Sequence, residues 1–188
     1  SVVSDFASEQ GHTIEVPDGF LAMVADRHQG ETKAKKKVDS EVNVDATKLD
    51  FYDDMEKRSF SSTVIFSEKN KIALKNTLFY PEGGGQIGDI GIIEWDGKKS
   101  KVVDVQKVGD VVVHQIEGEL PSVGTKISGI IDDNHRSGLS RHHTATHLVG
   151  AAAREVLGNH IWQAGASKSV VRARLDITHH RRLTRDVI

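Results

Sequence analysis

Apolar and polar residues change their period twice along this chain, and each change marks a different kind of structure. Pro17-Asp18 followed by Phe20, Leu21, Ala22, Met23, Val24 and Ala25 predicts a helix start and an apolar helical face ending near residues 28–30. The polar run 31–37, with Lys33, Lys35, Lys36 and Lys37, has no apolar period and reads as an exposed connector. From Ser59 onward the alternation is strand-like. Strands are predicted at 62–67, 72–79, 90–95, 101–105, 111–116 and 125–131, with Asp96-Gly97 as a hairpin turn. Six short strands with turns between them predict a small barrel or sandwich. At Asp132 the period becomes helical. Asp132 or Asp133 can cap a helix over about 134–157 that stops at Gly158-Asn159. Its apolar face is predicted to be Ala145, Leu148, Val149, Ala152, Ala153 and Val156, with His143, His147 and Arg154 on a more polar flank. Two more strands are expected near 160–164 and 170–177. The whole reads as α+β: a partial helical segment over 1–58, a glycine-rich β-barrel over 59–131, and a helix-and-sheet unit over 132–188.

Composition narrows the class. The chain is 37% hydrophobic and 28% charged, which fits a globular protein rather than a disordered one. No run approaches the roughly 18 apolar residues of a membrane helix, and residues 1–10 lack the blocks of a signal peptide. The chain begins at Ser1, suggesting a piece cut from something longer. There is no cysteine, so any thiolate ligand would come from outside this segment. The net charge of -2 divides unevenly: residues 1–58 carry 8 basic and 13 acidic groups, 59–135 carry 8 and 11, and 136–188 carry 9 and 3. Seven of the ten histidines lie from His135 onward. A basic, histidine-rich end suggests an anionic partner, with RNA phosphate the obvious candidate, although from charge alone a solvated basic surface is the favoured reading.

Two segments carry chemistry. His143 and His147 are four residues apart on a predicted helix, so both rings leave one face and can converge on one ion. Zinc usually takes about four ligands in a structural site, so the pair is half a site and predicts weak zinc binding by this chain alone. A zinc protease would need glutamate where Thr144 stands, which excludes that chemistry. The second segment is 77–89, Thr-Leu-Phe-Tyr-Pro-Glu-Gly-Gly-Gly-Gln-Ile-Gly-Asp. Gly83, Gly85 and Gly88 form G-x-G-x-x-G, but a strand follows where a dinucleotide site needs a helix. The glycines therefore predict a sharply bent backbone, with Gln86 and Asp89 available to face a ligand. No P-loop or synthetase ATP site is visible.

Residues 77–89, followed by Arg141-His142-His143-Thr144-Ala145-Thr146-His147-Leu148, resemble the editing domain of the alanyl-tRNA synthetase family and its free-standing relatives. Trp162-Gln163-Ala164-Gly165-Ala166 and Arg174-Leu175-Asp176-Ile177-Thr178-His179 look like the archaeal form. The resemblance is strong over 59–188; it implies that 1–58 ends a tRNA-recognition region and that 132–188 is a truncated editing core. The implied activity is hydrolysis of serine, and of glycine, wrongly esterified to alanine tRNA. The parent would charge that tRNA using ATP and Mg2+ in a catalytic core this chain lacks. The implied metal is zinc, held by His143 and His147 and completed in the family by a Cys-x-x-x-His element not found in these residues. The resemblance makes Thr77 the partner of the serine hydroxyl, and Gln86 is the expected partner of the ester or attacking water. Arg172, Arg174, Arg181 and Arg182 are candidates for the phosphates of the tRNA acceptor end. A cytoplasmic protein is implied, with no membrane or DNA partner. A free-standing editing hydrolase and an inert RNA-binding module of the same fold are the alternatives.

Overall fold

The computed structural model describes residues 11, 44–54 and 56–184. The helix expected near 19–30 and the connector at 31–37 lie outside the described residues.

Six strands close into a barrel: β2 (Ser59–Glu68), β3 (Lys71–Leu74), β5 (Gly91–Trp95), β6 (Lys98–Val108), β7 (Val111–Glu117) and β8 (Lys126–Ile131), in the order β2-β3-β7-β6-β5-β8. All six contacts between neighbours are antiparallel, which is what short hairpin connections permit. Alternation sends Phe60 and Val64 of β2, Val102 and Val105 of β6, and Ile127 and Ile131 of β8 into one core. Phe79 lies at its centre with no exposed surface, edge-on to Phe60 at 5.7 Å and to His114 at 5.5 Å between ring centroids. Burying an aromatic ring this fully contributes on the order of 1.5–3 kcal/mol. The first four residues of β7 are buried on both faces, because Val111 and Val113 pack with Ala73 and Val44 on the barrel's outer wall. Closure, in place of a sandwich, leaves no free edge among these strands.

The run expected as one strand over 72–79 is two pieces. After β3 the chain breaks at Lys75, and β4 (Asn76–Thr77) pairs in parallel with β1 (Lys48–Leu49) instead of continuing along β7. Local polar bonds cause the break: the Asn76 amide N–H donates to Ser62 Oγ at 3.1 Å, and Asn76 Nδ2 donates to Asp50 Oδ2 at 2.6 Å. A 3-10 turn (Asp50–Tyr52) follows β1 and inserts Phe51 into the barrel core against Tyr80. Barrel packing thus includes Val44, Leu49 and Phe51, within the stretch 1–58 read from sequence as the end of a tRNA-recognition region and its connector.

The helix α1 (Asp133–Leu157) starts on Asp132, whose carboxylate accepts from the His135 amide at 2.9 Å, and it ends at Gly158. Its predicted apolar face is not a core. Leu148 is 66% exposed, Val149 58% and Val156 66%; the buried positions are Arg136, Gly138, Leu139 and Thr146. The period revealed an amphipathic helix, but the described segments that meet it are residues 78–90 at the barrel's end and a two-stranded antiparallel sheet, β9 (Gln163–Lys168) with β10 (Ala173–Ile177). These strands begin later than expected, because Ile161 closes the helix exit by donating to Gly158 O and a turn spans Ser169–Arg172. Among the described residues no helix is long and apolar enough to cross a membrane.

One prediction arises from the core. His114 is wholly buried, and burial pushes it down to about 4, against a smaller opposing effect of the Ile72 backbone. Between about 6.5 and 4 the unfolded chain binds a proton there and the folded chain does not, so stability is full above 6.5 and falls as pH drops through that window. The expected loss is roughly 3 kcal/mol by pH 4. Urea denaturation of the wild-type chain and of His114→Gln at pH 7 and pH 4.5 checks it: the acid loss attributable to this site must be absent in the variant.

Candidate functional site

Beyond β4 the chain forms a loop closed at its base by Asp89. The Tyr80 amide donates to Asp89 Oδ2 at 2.7 Å, and the Asp89 amide donates to Tyr80 O at 2.9 Å. At the tip Gly83 and Gln86 exchange both backbone bonds, at 3.0 and 2.9 Å. Gly84 and Gly85 between them have φ of +59° and +77°, the two left-handed positions of a type I′ turn. A Cβ on Gly85 would stand 2.1 Å from Ala166 O, so the turn lies flat against β9. Lys168, at the end of β9 and only 3% exposed, fastens the two: its amide donates to Gly85 O at 2.7 Å and its Nζ to Gly84 O at 2.8 Å.

Successive turns of α1 then grip the loop. Arg136 donates from Nε to both Asp89 oxygens at 3.0 Å and from an Nη to Leu78 O at 2.7 Å; the same Nη also meets Asp89 Oδ2. Asp89 has no exposed surface. Its carboxylate therefore holds the loop to the helix rather than facing a ligand as the sequence suggested. The His135 Nε2–H donates to Gly88 O at 3.1 Å. Two turns later His143 Nδ1 lies 2.8 Å from Gln86 Oε1. An amide oxygen only accepts, so Nδ1 carries the proton and the His143 Nε2 lone pair is left for a ligand. His147 lies one turn on, its ring 5.0 Å from that of His143 and tilted by 32°. His142, on another flank, donates from Nδ1 to Ser169 O at 2.6 Å and takes no part in the pair.

Burial, followed by the charges of Lys168 and His147, holds His143 below the usual histidine range. A neutral imidazole with its Nδ1–H anchored is the form that binds a metal, and a carbonyl partner on the far nitrogen is the usual support for such a ligand. The two residues therefore suit zinc or a similar ion, as a pair: no third His, Asp or Glu donor joins them among the described residues.

Gln86, His143 and His147 are thus brought together. Thr77 is not. It is fully buried in the barrel, where its hydroxyl lies 2.9 Å from His114 Nε2 and accepts from the Phe79 amide at 3.1 Å. Arg172, Arg174, Arg181 and Arg182 are all exposed, and Arg174 forms a surface ion pair with Asp176 at 3.1 Å. Sequence reasoning missed Lys168 and Arg136, whose partners lie 84 and 47 residues away and leave no local pattern. A groove of about 540 Å³ opens beside His147, lined by Gly150, Arg154, Trp162, Gln163 and Leu175. The larger groove, about 810 Å³ on the β5–β6–β8 wall, contains no imidazole, so chemistry rather than size points to the first.

Residues 1–135 match the family model described as tRNA synthetases class II (A). The chain is 46% identical over 188 residues to the alanine–tRNA ligase of Thermoplasma acidophilum, covering 99% of this chain and 21% of that protein. It is 44% identical over 183 residues to the alanine–tRNA ligase of Methanothermobacter thermautotrophicus, covering 97% and 20%. With the ligase of Metallosphaera sedula the figures are 46% over 189 residues, 95% and 21%. The family match ends at the start of α1, and the longer alignments continue through the histidine pair. A closed barrel carrying a glycine-rich loop clamped to a histidine helix is therefore one segment, spanning about a fifth of the length of the relatives it matches, of a chain that belongs to the class II tRNA synthetase (A) family.

Proposed function

We propose that this segment is the editing domain of an alanine–tRNA ligase, hydrolysing the ester that joins serine or glycine to alanine tRNA. The observation that carries the proposal is the bond from His143 Nδ1 to Gln86 Oε1, which joins the two segments of chemical interest into one site. The parent would attach alanine to its tRNA with ATP.

Ester hydrolysis adds water to the acyl carbon, breaks the bond to the ribose oxygen and returns a proton to that oxygen. It needs an activated water and donors aimed at the developing oxyanion. With its Oε1 occupied by His143, Gln86 keeps two amide N–H groups to donate to the acyl or ester oxygen. His143 Nε2 and His147 would hold zinc, which when bound supplies a Lewis acid beside the scissile ester. Lys168 keeps the Gly84–Gly85 turn and hence Gln86 at a fixed height above the pair. The groove by His147 is the place for the aminoacyl end, and exposed Arg172, Arg174, Arg181 and Arg182 are assigned to phosphates of the tRNA acceptor end. Thr77 is assigned the serine hydroxyl by resemblance. Its own hydroxyl is already held by His114 and the Phe79 amide, so one hydrogen-bonding position remains for a substrate.

Deacylation of serine-charged against alanine-charged alanine tRNA, with zinc added, tests the reading in this chain and in an intact ligase carrying the same substitutions. Serine should be released and alanine spared. Gln86→Leu should slow release by about 10–100-fold, the usual cost of losing a ligand's anchoring partner. Replacing both His143 and His147 with Asn should abolish release, and Thr77→Val should narrow the preference for serine over glycine. Undiminished serine release by the double histidine variant would sink the proposal.

A further inference from the structure

We propose that His160, His179 and His180 form a second metal site, apart from the His143–His147 pair, that takes Zn2+ or a similar borderline divalent ion such as Ni2+ or Cu2+. These are the one group of three metal-ligating side chains among the described residues, with one donor atom from each lying within 4.8 Å of the others. The three rings face one another at centroid separations of 5.0 to 5.2 Å. His160 Nε2 and His179 Nδ1 are 2.9 Å apart and share one proton. Two nitrogens on one tetrahedral zinc lie roughly 3.3 Å apart when each bond is about 2.0–2.1 Å. Two ligands are therefore already slightly closer than a metal needs, and the ring now donating has only to move its proton to its other nitrogen. The third ligand, His180, is exposed, so its side chain can turn the remaining distance without disturbing a core.

The backbone that carries these residues is held from both sides. Thr178, just before the two histidines, donates its hydroxyl to His160 O at 2.8 Å and accepts from the Trp162 amide at 2.8 Å; its own amide donates to Trp162 O at 2.9 Å. The helix exit and the end of β10 are thus stapled together at the point where the imidazoles project. His160 Nδ1 lies over Gly158, where a Cβ would come within 3.3 Å of it, and so its Nε2 faces the other two rings. A bound ion would need little reordering of chain, the main cost a flexible site bears. The donor set selects the ion: imidazoles without a carboxylate suit zinc, copper and nickel and not magnesium or calcium. Three neutral ligands followed directly by Arg181 and Arg182 disfavour a bound cation relative to a closed four-ligand site that carries thiolates, so we take micromolar affinity as the expected result.

Calorimetric titration of the full chain with ZnCl2, NiCl2 or MgCl2 tests this, using His143→Asn/His147→Asn to silence the other pair. One equivalent of Zn2+ or Ni2+ should bind with micromolar affinity, Mg2+ should give no heat, and adding His180→Asn should weaken binding by at least tenfold. Should the double variant fail to fold, wild type against His180→Asn gives the same answer as loss of one equivalent. His180 is exposed, so that variant keeps the fold, as circular dichroism will verify. An unchanged isotherm on His180→Asn, or no binding by the folded double variant, overturns the site.

Discussion

Arg136→Met will lower the stability of this chain by about 3–5 kcal/mol, the largest single-site loss expected outside the hydrophobic core. The guanidinium and the Asp89 carboxylate are both taken out of water, Asp89 entirely, and each is satisfied mainly by the other. Removing one leaves the other charge buried without its partner, which costs more than the intact pair contributes. Arg136 also holds Leu78 O, so the same change frees a buried carbonyl. For a chain of this size the loss corresponds to roughly 10–15 °C in Tm. Asp89→Asn should be less severe, because its amide can still serve as an acceptor for the Tyr80 N–H. The double variant Asp89→Asn/Arg136→Met should be less destabilised than the sum of the two. Urea denaturation of the four proteins measures that coupling; a loss below about 1 kcal/mol for Arg136→Met, or simple additivity, would mean that the pair does not fasten the loop.

Gly85→Ala should cut the proposed editing activity by about a hundredfold while leaving the barrel folded. Its φ of +77° makes any side chain costly by about 1–2 kcal/mol, and that much is shared by Gly84 at +59°. The two differ in what a methyl group would meet. At Gly84 nothing lies within 4 Å; at Gly85 the Ala166 carbonyl lies 2.1 Å away, and it is backbone that cannot swing aside. The turn and β9 must separate by more than about 1 Å, which breaks the Lys168 amide bond to Gly85 O and moves Gln86 off His143. Misplacement of that size is worth about a hundredfold in rate. Serine release should fall at least that far in Gly85→Ala and only a fewfold in Gly84→Ala, with the Lys168 amide losing its exchange protection in the first variant alone. Equal activity of the two would disprove the docking role of the turn.

The barrel was legible because alternation of period two, with Asp96-Gly97 at a turn, identifies strands without knowledge of their partners. Helix α1 was legible from its cap at Asp132 and stop at Gly158. Its buried side was not, because periodicity distinguishes two faces and does not say which one meets a neighbour. Leu148, Val149 and Val156 are open while Arg136 and Thr146 are covered. The break at Lys75 escaped notice because it depends on Asn76 reaching Ser62 and Asp50, residues from two other elements. His143, His147 and Gln86, which the fold brings side by side, could be singled out because imidazole spacing and a glycine run are local signals. Lys168 sits in an unremarkable Ser-Lys-Ser run, and only the folded turn of Gly84 and Gly85 gives its ammonium a purpose.

The bonds that clamp the loop span 47, 57 and 84 residues along the chain. Three of the pairings that close the barrel, β3 with β7, β5 with β8 and β2 with β8, also join distant segments. Chain closure over such separations must be made before those bonds are gained, so barrel and clamp both carry a loop-closure cost, and the clamp fastens onto a surface that the barrel supplies. Where the Gly84–Gly85 turn rests on β9, small local separations can shift Gln86 relative to the imidazoles while the barrel stays shut, so the spacing within the site can vary without a melting of the protein.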